Sequence, residues 1–208
     1  MATTKDKILD VAERLFGEQG YGATSLRQVI AEAGVNLAAV HYHFGSKEEL
    51  LDAVVLRGAT PLNDQRIALL EQYEKAAAPK PVAVEKVLHA ILAPTFLKVE
   101  KSPRFAQLMG RLLGEGLMAD MVGRHFRPAV ERFVGAMRRS LPDLPQEELL
   151  WRIQFMFGAM AQTLLGRHLF PVELAAHGDT SQVVDRLVNF LAAGFRAPAP
   201  RFAKVQEK

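Results

Sequence analysis

The chain has 208 residues, 49% apolar and 24% charged, with a formal net charge of +3 and no cysteine. This is the profile of a globular protein of one or two domains, and the missing thiol excludes disulfides, thiolate nucleophiles and Cys-ligated zinc. No run approaches the roughly 18 uninterrupted apolar residues of a membrane span, and the N-terminus lacks the apolar core of a signal peptide, so the expected location is the cytoplasm, with no membrane partner.

Apolar residues recur at helical spacing almost throughout, and sustained strand-like alternation is hard to find, so the predicted fold is all-α. The first helix is expected from Thr4 to Gln19, with Ile8, Val11, Ala12, Leu15 and Phe16 on one face and Gly20 as its stop. Ser25 and Gln28 form an S-x-x-Q capping box opening a second helix that ends before Gly34. Asn36 is a good N-cap for a third helix, and Ser46 with Glu49 caps a fourth. That fourth helix is expected to kink or stop near Gly58 to Pro61. Further helices fit about Asn63 to Ala77, Val82 to Val99, Pro103 to Met118, Met121 to Ser140, Glu147 to Phe170 and Ser181 to Phe195, separated by the turn-rich stretches "AAAPKP", "LPDLPQ" and "AHGDT". Residues 198–208 read as a disordered tail.

The segment "GVNLAAVHYHFGSKEEL" sets Tyr42 between His41 and His43. On a helical wheel Leu37, Val40 and Phe44 cluster on one side, Ala38, Ala39, Tyr42 and His43 point away, and His41 lies at the border. A metal site would want histidines three or four apart on one face, and these two diverge, so no metal is expected. A helix with small residues at its start and donor-bearing side chains turned outward suits the major groove of DNA, with a following lysine near a phosphate. The charge of the segment does not add to this. Up to Leu50, Lys5, Lys7, Arg14, Arg27 and Lys47 are outnumbered by Asp6, Asp10, Glu13, Glu18, Glu32, Glu48 and Glu49, so binding there rests on placement.

The second helix, the turn Ala33-Gly34-Val35 and the third helix together read as a helix-turn-helix. The stretch "ILDVAERLFGEQGYGATSLRQVIAEAGVNLAAVHYHFGSKEELL" closely resembles the TetR family of bacterial transcriptional regulators. The resemblance implies a homodimer that binds a palindromic double-stranded DNA operator, most often as a repressor, and is released by a small apolar or amphipathic effector. By position it assigns DNA contacts to Ser25 and Arg27, to Asn36, Leu37, Ala38, Ala39, His41, Tyr42 and His43, and to Lys47. Many family members carry polar or charged residues in place of Leu37 and Ala38, and often tyrosine in place of His41. Base readout here is therefore expected to lean on thymine methyls and DNA shape. The implied division is a DNA-binding domain over 4–64, with its helix-turn-helix motif at about 25–44, and an effector-binding and dimerisation domain over 65–197.

Motifs fade in the remainder. "LLWRIQFMFGAMAQTLLGRHLF" is apolar nearly all round, and "VVDRLVNFLAAGF" ends in small residues. A helix apolar on both sides must bury both, so a two-fold interface is expected through Gly158, Ala159, Gly166, Leu187 and Leu191. An effector pocket is expected to enclose Met109, Leu113, Phe126, Phe133, Trp151, Arg152 and Phe155. Structural ion pairs of Arg111 with Glu115 and of Arg152 with Glu148 compete with ligand roles for the two arginines, and His125 stands nearby. The pieces "FAQLMGRLLGEG" and "EELLWRIQFMFGAM" are similar to TetR-type regulators that respond to long-chain fatty acids or acyl esters, whereas other members sense drugs and antibiotics. No HExxH, GxSxG, P-loop or paired-carboxylate arrangement occurs, so neither an enzyme, a catalytic residue nor a cofactor is expected. A helical binding module without DNA affinity is the competing class.

Overall fold

The computed structural model describes residues 3–165 and 179–200, and their regular structure is helical. In chain order the helices are α1 (Thr4–Gln19), α2 (Leu26–Ala33), α3 (Leu37–Phe44), α4 (Lys47–Ala77), α5 (Val84–Lys101), α6 (Pro103–Gly114) and α7 (Met118–Met121). A π-helical turn (Val122–Phe126) follows, then α8 (Arg127–Ser140), α9 (Gln146–Leu165) and α10 (Thr180–Arg196). Among the described residues no helix is long and apolar enough to cross a membrane. The C-terminal part of the helix expected to reach Phe170, and tail residues 201–208, lie outside the described residues.

The helix starts follow local chemistry. The Thr3 hydroxyl accepts from the Asp6 N–H at 3.1 Å and the Asp6 carboxylate accepts from the Thr3 N–H at 3.0 Å, a capping box at the head of α1. Ser25 and Gln28 repeat the device on α2, and Ser46 with Glu49 repeat it on α4. The helix does not stop near Pro61, because α4 runs unbroken for 31 residues with Pro61 inside it. Proline removes one helical hydrogen bond. Around it Ala59 is fully buried and Leu62 is 3% exposed, so packing on both sides holds the helix through the gap.

The described residues fall into two compact units, 3–68 with 94–131, and 69–93 with 132–165 and 179–200. These packing units do not follow the linear split at 64/65 expected from the sequence, because 94–131 packs with the N-terminal segment. In the first unit, Ile8, Leu15 and Phe16 of α1, Val29 of α2, Val40 and Phe44 of α3, Val54 and Leu62 of α4, and Phe105, Leu108 and Leu112 of α6 share one core. Gly58 has a specific packing role there: a Cβ on it would stand 2.3 Å from the Phe105 ring, so the aromatic edge fills the space a larger residue would take. The second unit buries Leu70, Leu88, Phe133, Met137, Leu149, Met156, Val184, Leu191 and Phe195.

Candidate DNA interface

The α2–α3 corner is built by local geometry. Gly34 takes φ +63° and ψ +36°, the left-handed conformation that glycine adopts without steric penalty. Its N–H donates to the Ala31 carbonyl, and the Val35 N–H donates to the Ile30 carbonyl at 3.2 Å. That pair is a Schellman motif, which stops α2 and turns the chain. Asn36 then opens α3, its Oδ1 accepting from the Ala39 N–H at 2.8 Å.

Val40, fully buried, and Phe44, 6% exposed, root α3 in the core. Ala38, His41 and Tyr42 are exposed, Tyr42 at 86%, while Ala39 and His43 are half-buried. Leu37 corrects the helical-wheel expectation, since it is 53% exposed and lies outside the core. As the first residue of the helix it projects back toward the turn, leaving Val40 and Phe44 as the buried i, i+4 pair. The Tyr42 and His43 rings meet edge-on, their centroids 5.1 Å apart. A shallow groove of about 380 Å³ runs between Lys5, Tyr42, His43, Gly45 and Glu49. Ser25 and Arg27 are both exposed at the head of α2, the Ser25 hydroxyl being engaged in its capping box. The Lys47 ammonium lies 4.2 Å from the centre of the Tyr21 ring. Burial lowers its pKa, and the Glu115 carboxylate opposes that shift.

Residues that give no motif signal tie α1, the loop after it and α4 to α5, α6 and the π-turn within the same unit. Arg111 donates to the carbonyls of Gly17 at 3.3 Å and Glu18 at 2.9 Å, covering the last turn of α1 instead of pairing with Glu115 as expected. The Glu115 carboxylate accepts from the Gly22 N–H at 3.4 Å. From the π-turn, Arg124 reaches Asp52 at 2.6 Å and His125 Nε2 lies 2.9 Å from the other Asp52 oxygen, both on the first turns of α4. The His125 carbonyl accepts from Asn63 at 3.0 Å. Arg66, buried at 7% exposure, donates to the Thr95 hydroxyl at 2.6 Å, and burial pushes its pKa down to about 10. Sequence spacing carries no trace of these contacts, which join residues 29 to 94 positions apart.

The residues expected to enclose an effector are divided between the two units. Met109, half-buried, Leu113, 43% exposed, and Phe126, 9% exposed, belong to the first unit. Phe133, 6% exposed, belongs to the core of the second. Trp151 and Phe155 are corrected outright: at 55% and 62% exposure they stand on the outer face of α9, with ring centroids 5.9 Å apart. Arg152 makes the ion pair with Glu148 expected for it and takes a structural role. Its guanidinium is held by Glu148 at 2.8 Å and by the carbonyls of Gly194, Phe195 and Ala197 at 2.9, 2.7 and 2.8 Å, so it serves the C-terminus of α10.

Of the expected interface residues, Gly158 is exposed, with no side chain near the place its Cβ would occupy, and Ala159 is half-buried. Leu187 and Leu191, at 8% and 6% exposure, are corrected to core positions of their own unit, and Gly166 lies outside the described residues. Among the described residues of α9 and α10, the exposed large apolar side chains are instead Leu150, Trp151, Phe155 and Phe190, the last 72% exposed.

A short helix pair joined by a left-handed glycine, with the second helix anchored by two residues and its outer face open, defines a helix-turn-helix DNA-binding protein. Residues 8–54 match the model of bacterial regulatory proteins of the tetR family, and residues 89–194 match that of the tetracyclin repressor-like C-terminal domain. The chain belongs to the TetR family of transcriptional regulators. It is 34% identical over 91 residues to the HTH-type transcriptional regulator AcrR of Shigella flexneri, a match covering 42% of this chain and 40% of AcrR. The chain spans less than half the length of the curated relatives it matches. A tetR family transcription regulator from Shewanella sp. PV-4 shares the fold with a TM-score of 0.70 at 15% identity, covering 92% of this chain and 97% of that one. FadR from Bacillus subtilis, solved in complex with stearoyl-CoA, does so with a TM-score of 0.60 at 15% identity, covering 90% and 97%.

Proposed function

We propose that the protein is a repressor that binds a palindromic operator as a homodimer and is released by a long-chain acyl compound or similar amphipath. The observation that carries the DNA reading is the open face of α3, where Leu37, Ala38, His41 and Tyr42 are exposed on a helix rooted by Val40 and Phe44. Residues 4–64 would bind DNA, and residues 65–197 would dimerise and take the effector. A salt-dependent shift of a palindromic fragment from the protein's own upstream region tests the reading. If neither that fragment nor selection from genomic DNA yields a specific site, a helical module without DNA affinity replaces it.

Tyr42, His43 and Lys47 would act as phosphate anchors. Leaving the Tyr21 ring costs Lys47 a cation–π contact of about 0.5–1 kcal/mol at an exposed site, and a charge-assisted hydrogen bond to phosphate contributes about 1.5–3 kcal/mol, so DNA wins. Lys47→Ala is expected to weaken specific and non-specific binding alike by up to about 3 kcal/mol and to reduce the salt slope by about one. Tyr42→Phe should weaken both by about 0.5–1.5 kcal/mol. Filter binding across a salt series measures these effects, and unchanged affinities would remove the anchors.

The partner subunit would cover the outer face of α9 and α10. Trp151, Phe155, Gly158 and Phe190 combine exposed aromatic area with a small residue that permits close helix approach. Phe155→Asp and Gly158→Glu are expected to give folded monomers by light scattering, with operator affinity lost because one half-site contact remains. Mutants that stay dimeric would move the interface elsewhere.

The acyl assignment is supported by the similarity of two C-terminal stretches to fatty-acid-responsive regulators and by a fold neighbour solved with stearoyl-CoA. A ligand that prefers the DNA-free form must raise thermal stability and lower operator affinity together. Titration with fatty acids, acyl-CoA esters and aromatic drugs, following both quantities, decides it. Acyl compounds that change neither, while another compound changes both, would reject the assignment and keep the regulator.

A further inference from the structure

We infer that His41 selects the operator by accepting a hydrogen bond from an exocyclic amino group in the major groove, either adenine N6 or cytosine N4. The inference rests on the reading of α3 as the recognition helix. The Nδ1 atom of His41 lies 2.8 Å from the Gly45 carbonyl oxygen. A carbonyl can only accept, so Nδ1 must carry the hydrogen, and a neutral imidazole has only one. In the neutral ring Nε2 is then a bare acceptor.

The clamp is reciprocal, since the Gly45 N–H donates to the His41 carbonyl at 3.0 Å. Gly45 holds φ +68°, a conformation in which a residue with a Cβ is strained, so the carbonyl that sets the tautomer is fixed in place. His41 is exposed, one turn beyond Leu37 and Ala38, which are exposed as well and have no side-chain hydrogen-bonding group. The Oδ1 of Asn36, the other acceptor at the head of the helix, is engaged by the Ala39 N–H. On the groove side of each base, adenine and cytosine offer an amino donor, whereas guanine and thymine offer oxygen acceptors that would oppose the Nε2 lone pair. His41 thus distinguishes adenine from guanine, or cytosine from thymine, at one position of the half-site, beside the apolar contacts of Leu37 and Ala38.

The test has two parts. In 15N-histidine-labelled protein near pH 8, the His41 ring should show a protonated Nδ1 and an unprotonated Nε2, and the reverse tautomer overturns the inference. A duplex selected by the wild-type protein is then rebuilt, replacing each adenine in turn with a purine lacking the 6-amino group and each cytosine with a pyrimidinone lacking the 4-amino group. One position per half-site is expected to lose about twofold to tenfold in wild-type affinity and nothing in His41→Ala. The sensitive arm, purine or pyrimidinone, identifies the base. His41→Gln, which again offers an acceptor, should recover part of the sensitivity, and it takes over the comparison if His41→Ala does not fold. Amine deletions that weaken wild type and both variants equally overturn the inference while the operator reading stands. A wild-type protein that selects no duplex removes both.

Discussion

Phe16→Ala is expected to destabilise the first unit by about 3–5 kcal/mol, the loss typical of truncating a buried aromatic ring that leaves a cavity. Phe16 is fully buried in α1 beside Ile8, Ala12 and Leu15, and its ring meets that of Tyr21 at a centroid distance of 5.6 Å. The surrounding side chains come from α1, α2, α3, α4 and α6, so no single helix can slide to refill the space. Urea denaturation followed by circular dichroism measures the loss, and operator affinity should fall because α3 leans on the same core. Tyr42→Ala is the control: with 86% of that residue already exposed, its stability should change by no more than about 0.5 kcal/mol. A loss below about 1 kcal/mol for Phe16→Ala would mean that the core collapses around the gap.

Arg152→Met is expected to cost the second unit about 3 kcal/mol. The guanidinium is 7% exposed and donates to the carbonyls of Gly194, Phe195 and Ala197 at the end of α10, where intrahelical donors run out; of these, the Gly194 carbonyl also accepts from the Ala197 N–H. Removing it strands the Phe195 carbonyl and leaves Glu148, whose side chain is 18% exposed, without its cation. The more exposed ion pair of Arg196 with Glu85 provides the contrast, since Arg196→Ala should change stability by at most about 1 kcal/mol. Thermal melts of the two variants separate the cases. Equal shifts would mean that Arg152 adds nothing beyond a surface ion pair.

The DNA-binding corner was visible in the sequence because its determinants are local. The capping boxes at Ser25 and Ser46, the Asn36 cap and the left-handed Gly34 each act within a few residues, and each stands where spacing put it. Tertiary packing decided what was missed. Continuation of α4 through Pro61 depends on buried neighbours that proline propensity ignores, and the π-turn over Val122–Phe126 has no local signature. Helix α9 shows a further limit. Its apolar residues surround the axis, so periodicity could not tell that Leu149 and Met156 face the unit's own core while Trp151 and Phe155 face out. Arg111 has Glu115 one helical turn away, yet its partners lie 93 and 94 residues away.

The approach of α6 to α1 at Gly17 has a mechanical consequence. A Cβ there would stand 3.4 Å from the Leu108 nitrogen, 3.6 Å from the Gln107 Cγ and 3.7 Å from the Arg104 carbonyl oxygen, so the two backbones approach here with only the Gln107 stem beside them. Interfaces padded by long side chains absorb small displacements through rotamer changes, while close-packed ones transmit strain. This joint has little slack. A displacement of α6 of even a fraction of an ångström must either move α1 with it or break the Arg111 contacts that hold the end of α1, and α1 forms part of the bed on which α2 and α3 rest.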